Sequence, residues 1–213
     1  MLIDPGSKLV MIGDSITDCG RARPVGVAQN EGLGNGYVSL VHAFLTATYP
    51  GHKIQVLNTG VGGNIVQDLA SRWQSDVLDL RPDWLSVKIG INDVWHKFNL
   101  LYKPDWDAAL ETYTSTYEAL LQKTRPQLKG LILMSPYYIE PDRHDPMRAM
   151  MDRFGTAVRL LAEKYQAVFV DTQAAFDAAM KEISPQELAE DQVHPGLVGH
   201  AILARAFLSA IGY

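Results

Sequence analysis

Five short, largely apolar runs alternate with longer amphipathic segments along the chain of 213 residues. Apolar runs of this length predict buried strands over Lys8–Ile12, Lys53–Leu57, Trp84–Ile89, Leu131–Met134 and Val168–Val170. Helical spacing of apolar residues, with prolines at several boundaries, predicts helices over Tyr37–Thr48, Ile65–Leu80, Asp105–Thr124, Pro146–Tyr165 and Leu197–Ala210. This alternation is typical of a parallel sheet that helices cover on both faces.

The number of strands and the chain length narrow the architecture further. Hydrophobic residues make up 47% of the chain and charged residues 20%, as in an ordinary globular domain. No shift in composition marks a second domain, and the length suits one domain. We therefore expect an α/β fold, a flavodoxin-like three-layer α/β/α sandwich with a five-stranded parallel sheet, over residues 1–213.

Charge and cysteine content exclude several classes of protein. The net charge of −5 argues against a nucleic-acid-binding protein, which usually carries a basic face, and favours a small or neutral substrate. The one cysteine excludes a disulfide scaffold and a cysteine-based zinc cluster. No apolar run approaches the ~20 residues that span a membrane. The first residues have no basic region followed by an apolar one, so we expect no signal peptide and a cytoplasmic protein.

The candidate functional residues follow the predicted strands. In open parallel sheets the site lies beyond the carboxyl ends of the strands. Gly13–Thr17 (GDSIT) follows the first strand, Asn58–Asn64 (NTGVGGN) the second and Gly90–Asp93 (GIND) the third. Asp191–Pro195 (DQVHP) comes one loop after the last strand. These motifs together supply the groups that acyl transfer from an ester needs, which are a hydroxyl, a glycine-rich backbone, an amide and a carboxylate–imidazole pair.

Ser15, His194 and Asp191 are the candidate catalytic residues. Asp191 precedes His194 by three residues, so its carboxylate can turn back to Nδ1 and leave Nε2 free to take the Ser15 proton. Ser15 has the alternative role of a helix N-cap. The Asp-x-x-His pair has the alternative role of metal ligation, but the other histidines show no ligand spacing.

The candidate oxyanion hole consists of the backbone N–H groups of Ser15 and Gly63 and the side chain of Asn92. The glycine cluster around Gly63 has the alternative roles of a tight turn or a phosphate cradle, but no P-loop lysine follows it. Asn92 has the alternative role of a turn former. Cys19 is a weaker candidate nucleophile, whose thiol pKa two nearby arginines would lower.

Taken together and in this order, the four motifs resemble those of the GDSL/SGNH hydrolase family, with Ile16 in place of the usual leucine. Over nearly the whole chain, the sequence is similar to bacterial acetyl-xylooligosaccharide (acetylxylan) esterases of that family. The resemblance implies a Ser15–His194–Asp191 triad, no metal or cofactor, and a higher homo-oligomer. The stretches that carry it beyond the motifs are GDSITDCGRARP, GINDVW, DPMR, FVDTQAAF and ILARAFL.

We expect a serine esterase without a nucleic-acid or membrane partner, and the resemblance implies that it removes acetyl groups from neutral xylooligosaccharides. Asp14 and Asp93, beside the catalytic residues, are expected to accept hydrogen bonds. Trp95 and Tyr37 are candidates for stacking on a sugar, although aromatic residues at such positions more often pack into the core. The loops at residues 20–36 and 95–104 are expected to set regiospecificity.

Three other functions remain open at this point. The same residues would serve a thioesterase, an arylesterase or a lysophospholipase. A non-catalytic carbohydrate-binding protein could use the same fold. The fold also occurs in proteins that bind flavins or nucleotides.

Overall fold

The computed structural model describes residues 1–98 and 104–213. The strands are β1 (Lys8–Gly13), β2 (Gln55–Asn58), β3 (Trp84–Lys88), β4 (Gly130–Met134) and β5 (Val168–Val170). They form one central sheet, in which all five strands are parallel and follow the order β2-β1-β3-β4-β5. This is the flavodoxin-like order, so the predicted fold class is confirmed.

The strands follow the predicted positions closely, and the largest difference has a local cause. The second strand begins at Gln55 rather than at Lys53, because a tight turn over Pro50–His52 places Lys53 in the left-handed region, at φ 50°. Every residue of β3 is buried, including Lys88 at its end. A strand buried on both faces is expected where helices cover both sides of a parallel sheet.

The helices of the described residues are α1 (Ser15–Asp18), α2 (Tyr37–Thr48), α3 (Val66–Trp73), α4 (Ile91–Phe98), α5 (Trp106–Thr124), α6 (Pro146–Lys164), α7 (Thr172–Ala179), α8 (Pro185–Leu188) and α9 (Leu197–Ala210). The longer helices form two groups. α2 packs against α9, while α3 packs against α5, which contacts α6. Right-handed crossovers between parallel strands place these groups on opposite faces of the sheet.

Four helices, α1, α4, α7 and α8, were not predicted from the sequence. Each has four to eight residues, which is too short for a clear apolar period. Side-chain caps support three of the starts, from Asp14 for α1, Asp171 for α7 and Ser184 for α8. The predicted helix Ile65–Leu80 is α3 followed by a π-helical turn over Gln74–Leu78.

The core occupies both faces of the sheet, where buried Val, Leu and Ile side chains of the strands meet the helices. Among the residues that the structure describes, no helix is long and apolar enough to cross a membrane. The carboxyl ends of the strands lie at one edge of the sheet, and the predicted catalytic motifs begin there.

Candidate active site

Ser15 is the first residue of α1, directly after β1. Asp14 rather than Ser15 is the N-cap, since its Oδ1 accepts the N–H of Ile16 at 3.0 Å. The capping interpretation of Ser15 is therefore wrong, and its hydroxyl is free for another role. The turn requires glycine at position 13, because a Cβ there would lie 2.3 Å from both the carbonyl oxygen of Lys88 and Oγ1 of Thr17.

His194 and Asp191 form a compact pair that faces this serine. Ser15 Oγ lies 2.9 Å from His194 Nε2, and His194 Nδ1 lies 2.6 Å from Asp191 Oδ2. Asp191 Oδ1 also accepts the backbone N–H groups of Val193 at 3.0 Å and His194 at 2.7 Å. With Nδ1–H donated to the carboxylate, Nε2 is left as the acceptor for the Ser15 hydroxyl.

The electrostatics of Asp191 favour its charged form. Partial desolvation acts to raise the pKa of the carboxyl, but hydrogen bonds from the His194 ring and from two backbone N–H groups outweigh it. The pKa of Asp191 therefore lies below its usual value, and the carboxylate is charged at neutral pH. A fixed negative charge at this place can stabilise the imidazolium that forms when the histidine takes a proton.

The pair is open to solvent on one side and held by packing on the other. The side chains of His194 and Asp191 are each 43% exposed. Trp95 packs edge-on against the His194 ring, with ring centroids 5.6 Å apart. Tyr137 is fully buried and donates its hydroxyl to the carbonyl of Val193 at 3.2 Å, which fixes the backbone beside the histidine.

The three predicted oxyanion donors come from three different elements. Within the part of the chain that the structure describes, the backbone N–H groups of Ser15 and Gly63 have no intramolecular acceptor. Gly63 has φ +78°, a left-handed conformation that favours glycine. The buried Asn92 donates from Nδ2 to the carbonyl of Asn64 at 3.0 Å, which orients its amide beside the Gly63 loop.

Two buried carboxylates, Asp14 and Asp93, stand next to Ser15 and Asn92 in the chain, and the buried Lys88 ends β3. Asp14 accepts from Ile16, and Asp93 Oδ1 accepts the N–H of Val66 at 3.2 Å. Burial is the main reason that the pKa of Asp93 is raised to about 7, and burial also raises the pKa of Asp14. Lys88, whose pKa burial lowers, lies 4.5 Å above the Tyr137 ring. Lys88 was not singled out from the sequence, because it stands among the apolar residues of the predicted strand Trp84–Ile89.

Two interpretations of neighbouring residues need correction. Tyr37 is fully buried, with its hydroxyl 3.0 Å from Thr17 Oγ1, so the interpretation of Tyr37 as a sugar-stacking residue is wrong. Cys19 lies 3.5 Å from Nε2 of the buried His200. Burial raises the pKa of the Cys19 thiol, contrary to the lowering expected from nearby arginines. A thiol with a raised pKa is a poor nucleophile.

Arg72 is the site-supporting residue that the sequence analysis missed. Its guanidinium donates to the carbonyls of Gly13 at 3.0 Å and Thr59 at 2.6 Å, and to Asn64 Oδ1 at 2.7 Å. A signal was available, since Arg72 stands three residues after the apolar Leu69, and the i+3 position shares a face of an amphipathic helix. A basic residue on the apolar face indicates a polar partner beneath the helix.

The described residues contain no group of three or more His, Cys, Asp or Glu side chains arranged to hold a metal ion. Trp95 contacts the histidine from α4, which extends through Phe98, so the predicted loop does not begin at residue 95. Residues 99–103 of the predicted loop at 95–104 lie outside the described residues. The expected role of this loop in regiospecificity stays a prediction. The same holds for sugar stacking by Trp95.

Comparisons with known proteins agree with this arrangement. The chain is 50% identical over 213 residues to an acetylxylan esterase of Geobacillus stearothermophilus, covering 100% of this chain and 97% of that one. The crystal structure of that enzyme, Axe2, matches with a TM-score of 0.95 at the same coverage. LAE5, an alpha/beta hydrolase enzyme from the metagenome of Lake Arreo in Spain, matches with a TM-score of 0.95 at 46% identity, covering 100% of this chain and 98% of that one.

Crystal structures exist of three catalytic mutants of Axe2, S15A, H194A and D191A. The same residue types stand at the same numbers in this chain, where they form the hydrogen-bonded series described above. Residues 11–202 match the model of the GDSL-like lipase/acylhydrolase family. That match spans the nucleophile turn, the Gly63 loop and the histidine–aspartate pair, and the chain belongs to the GDSL-like lipase/acylhydrolase family.

Proposed function

We propose that this protein is a serine esterase that removes acetyl groups from acetylated xylooligosaccharides. The observation that carries the proposal is the series Ser15 Oγ–His194 Nε2–Nδ1–Asp191 Oδ2, with distances of 2.9 and 2.6 Å. This arrangement is typical of a nucleophile for acyl transfer, because a base with one free nitrogen can take the proton of the serine hydroxyl while a carboxylate orients the base. The substrate class follows from the 50% identity to an acetylxylan esterase over the whole chain.

The proposed mechanism assigns one role to each group. His194 Nε2 takes the proton as Ser15 Oγ attacks the acetyl carbonyl, and Asp191 stabilises the imidazolium. The N–H groups of Ser15 and Gly63 and the Asn92 amide donate to the oxyanion. As the bond between the acetyl carbon and the sugar oxygen breaks, His194 gives its proton to that oxygen, which leaves as a hydroxyl. In the second half, His194 activates water, which attacks the acetyl-enzyme and releases acetate and Ser15.

The charge and exposure of the site support a small neutral substrate. A chain with a net charge of −5 gives no attraction to a polyanion. The histidine and aspartate side chains are close to half-exposed, so a bulky sugar can approach the nucleophile from solvent. An acetyl group needs only a small space beside the serine.

The proposal is tested by measuring acetate release from acetylated xylobiose with time-resolved NMR, alongside hydrolysis of 4-nitrophenyl esters of increasing chain length. We expect acetate release and a preference for the acetyl ester. Activity confined to esters of eight carbons or more would favour a lysophospholipase instead. Binding of the oligosaccharide without turnover would indicate a carbohydrate-binding protein. Ser15→Ala should abolish hydrolysis and labelling by a fluorophosphonate, and labelling that persists elsewhere would remove Ser15 from its role.

Three further properties belong to the proposal. We propose that residues 1–213 form one such domain, that the enzyme is a higher homo-oligomer, and that it acts in the cytoplasm on imported oligosaccharides. The oligomer rests on the resemblance to its subgroup, and the location is consistent with the free thiol of Cys19. Light scattering coupled to size exclusion tests the oligomer, and cell fractionation tests the location.

A further inference from the structure

The Arg72 side chain contacts three separate parts of the site from one position on α3. Nη2 donates to the carbonyl of Gly13 at 3.0 Å, Nη1 to the carbonyl of Thr59 at 2.6 Å, and Nε to Asn64 Oδ1 at 2.7 Å. Nη1 also pairs with Asp76 Oδ2 at 2.7 Å, one helical turn further on. Only 15% of the arginine side chain is exposed, so solvent does little to weaken these bonds.

Each of these acceptors lies next to a group that would hold the oxyanion. Gly13 ends β1, two residues before the backbone N–H of Ser15. Asn64 follows Gly63, the second donor, and its carbonyl accepts the Nδ2 of Asn92, the third donor, at 3.0 Å. One guanidinium therefore joins the strand that precedes the nucleophile to the loop that carries Gly63 and accepts the Asn92 amide.

We propose that Arg72 is a positioning residue for the oxyanion hole, which sets the separation of the Ser15 N–H from the Gly63 N–H and the Asn92 amide. The inference rests on the proposed esterase function and assigns no contact between Arg72 and substrate. Preorganised donors stabilise charge in the transition state only when they already point at it, and a displacement of about 1 Å can reduce the rate about 10²-fold.

The geometry of the guanidinium explains why arginine is needed. Three acceptors in different directions are reached by three N–H groups in a fixed plane. A lysine at position 72 keeps the positive charge beside Asp76, but its single ammonium cannot reach all three acceptors. Arg72→Lys therefore separates the charge of the residue from its ability to fix the distance between β1 and the Gly63 loop.

The test compares Arg72→Lys and Arg72→Ala with the parent protein and with a matched control. Arg125 is that control, because it is also partly buried and donates to two backbone carbonyls, those of Tyr165 at 2.9 Å and Leu128 at 3.2 Å. Leu128 lies before β4, at the opposite edge of the sheet. Four quantities are measured for each variant: kcat and KM on 4-nitrophenyl acetate, the rate of Ser15 labelling by a fluorophosphonate, and the thermal unfolding midpoint.

We expect Arg72→Lys to lower kcat about 10²-fold, with KM unchanged, and to slow labelling of Ser15 in parallel. Arg125→Lys should keep the kcat and the labelling rate of the parent. Added ethylguanidine should restore kcat in Arg72→Ala, whereas ethylamine should not, because only the guanidinium offers several donors in one plane. If Arg72→Ala does not fold, Arg72→Lys alone decides the question.

Other outcomes would overturn the inference, and they differ from a failure of the proposed function. A kcat in Arg72→Lys equal to that of the parent would remove the positioning role, as would a loss confined to KM or one matched by Arg125→Lys. In those cases the parent still hydrolyses esters and still labels at Ser15. A parent that reacts with neither reagent would instead remove the esterase function, and the role of Arg72 with it.

Discussion

Replacement of Asp93 by asparagine should stabilise the protein in a manner that depends on pH. Asp93 is almost fully buried, its Oδ1 accepts the N–H of Val66 at the start of α3, and its Oδ2 has no hydrogen-bond partner among the described residues. Burial raises the pKa of this carboxyl from 3.8 to about 7. Asparagine keeps the acceptor for Val66 and cannot become charged.

The sign and the size of this change in the free energy of unfolding follow from the difference in bound protons between the folded and unfolded states. Between pH 3.8 and about pH 7 the folded protein keeps the Asp93 proton that the unfolded chain has released. The free energy of unfolding of the parent therefore falls by ~1.4 kcal/mol for each pH unit across this window, through this group alone. Over the roughly three units the loss reaches about 4 kcal/mol. The Asp93→Asn variant does not suffer this loss.

Urea unfolding at intervals from pH 3.5 to pH 8.5 measures the effect. The buried amide of the variant carries its own desolvation cost, but that cost does not change with pH. The slope of the difference between variant and parent therefore isolates the carboxyl. Asp68→Asn is the control, since Asp68 accepts the N–H of Ile65 at the same helix start, at 2.9 Å, but is exposed.

We expect the stability of Asp93→Asn relative to the parent to rise by about 4 kcal/mol between pH 3.5 and pH 8, and that of Asp68→Asn to change little. A difference that stays flat across this range would show that burial does not raise the pKa of Asp93 above its value in the unfolded chain.

Three further predictions concern the site and its support. Asn92→Ala should lower kcat by about 10²–10³-fold by removing one oxyanion donor, measured on 4-nitrophenyl acetate; an unchanged kcat would exclude that role. Asp191→Asn should approach the ~10⁴-fold loss that follows when the imidazole takes the wrong tautomer, and a minor loss in steady-state kinetics would contradict the triad. Burial lowers the pKa of His200 from 6.5 to about 4, so stability present above pH 6.5 is lost as the pH falls to 4. His200→Asn should reduce this loss of stability between pH 6.5 and pH 4, measured by urea unfolding, by about 3 kcal/mol. A loss equal to that of the parent would show that other groups cause it.

The sequence was sufficient to predict the sheet because strands buried on both faces must be apolar, as in Leu131–Met134. It also placed Ser15, Gly63 and Asn92 at one edge, since the carboxyl ends of parallel strands meet there. The short helices α7 and α8 were missed because their starts depend on single caps, Asp171 and Ser184, rather than on a period.

Side-chain contacts between distant segments were beyond the reach of the sequence. The place of Arg72 on the apolar face of α3 indicates a polar partner, but Gly13 lies 59 residues away and nothing in either segment identifies it as that partner. The burial of Tyr37 is a similar case, since its position beside Thr17 depends on how α2 packs over α1. Pattern and spacing predict where a backbone group lies in the fold. Whether an aromatic or charged side chain is buried in the core or faces the site depends on the packing of distant segments.

The histidine–aspartate pair has a consequence for how such enzymes diversify. Within residues 1–98 and 104–213, the three hydrogen bonds that Asp191 accepts come from Val193 and His194, so four consecutive residues orient the imidazole. The stretch between β5 and Asp191 can therefore lengthen or shorten over evolution without altering which imidazole nitrogen bears the proton.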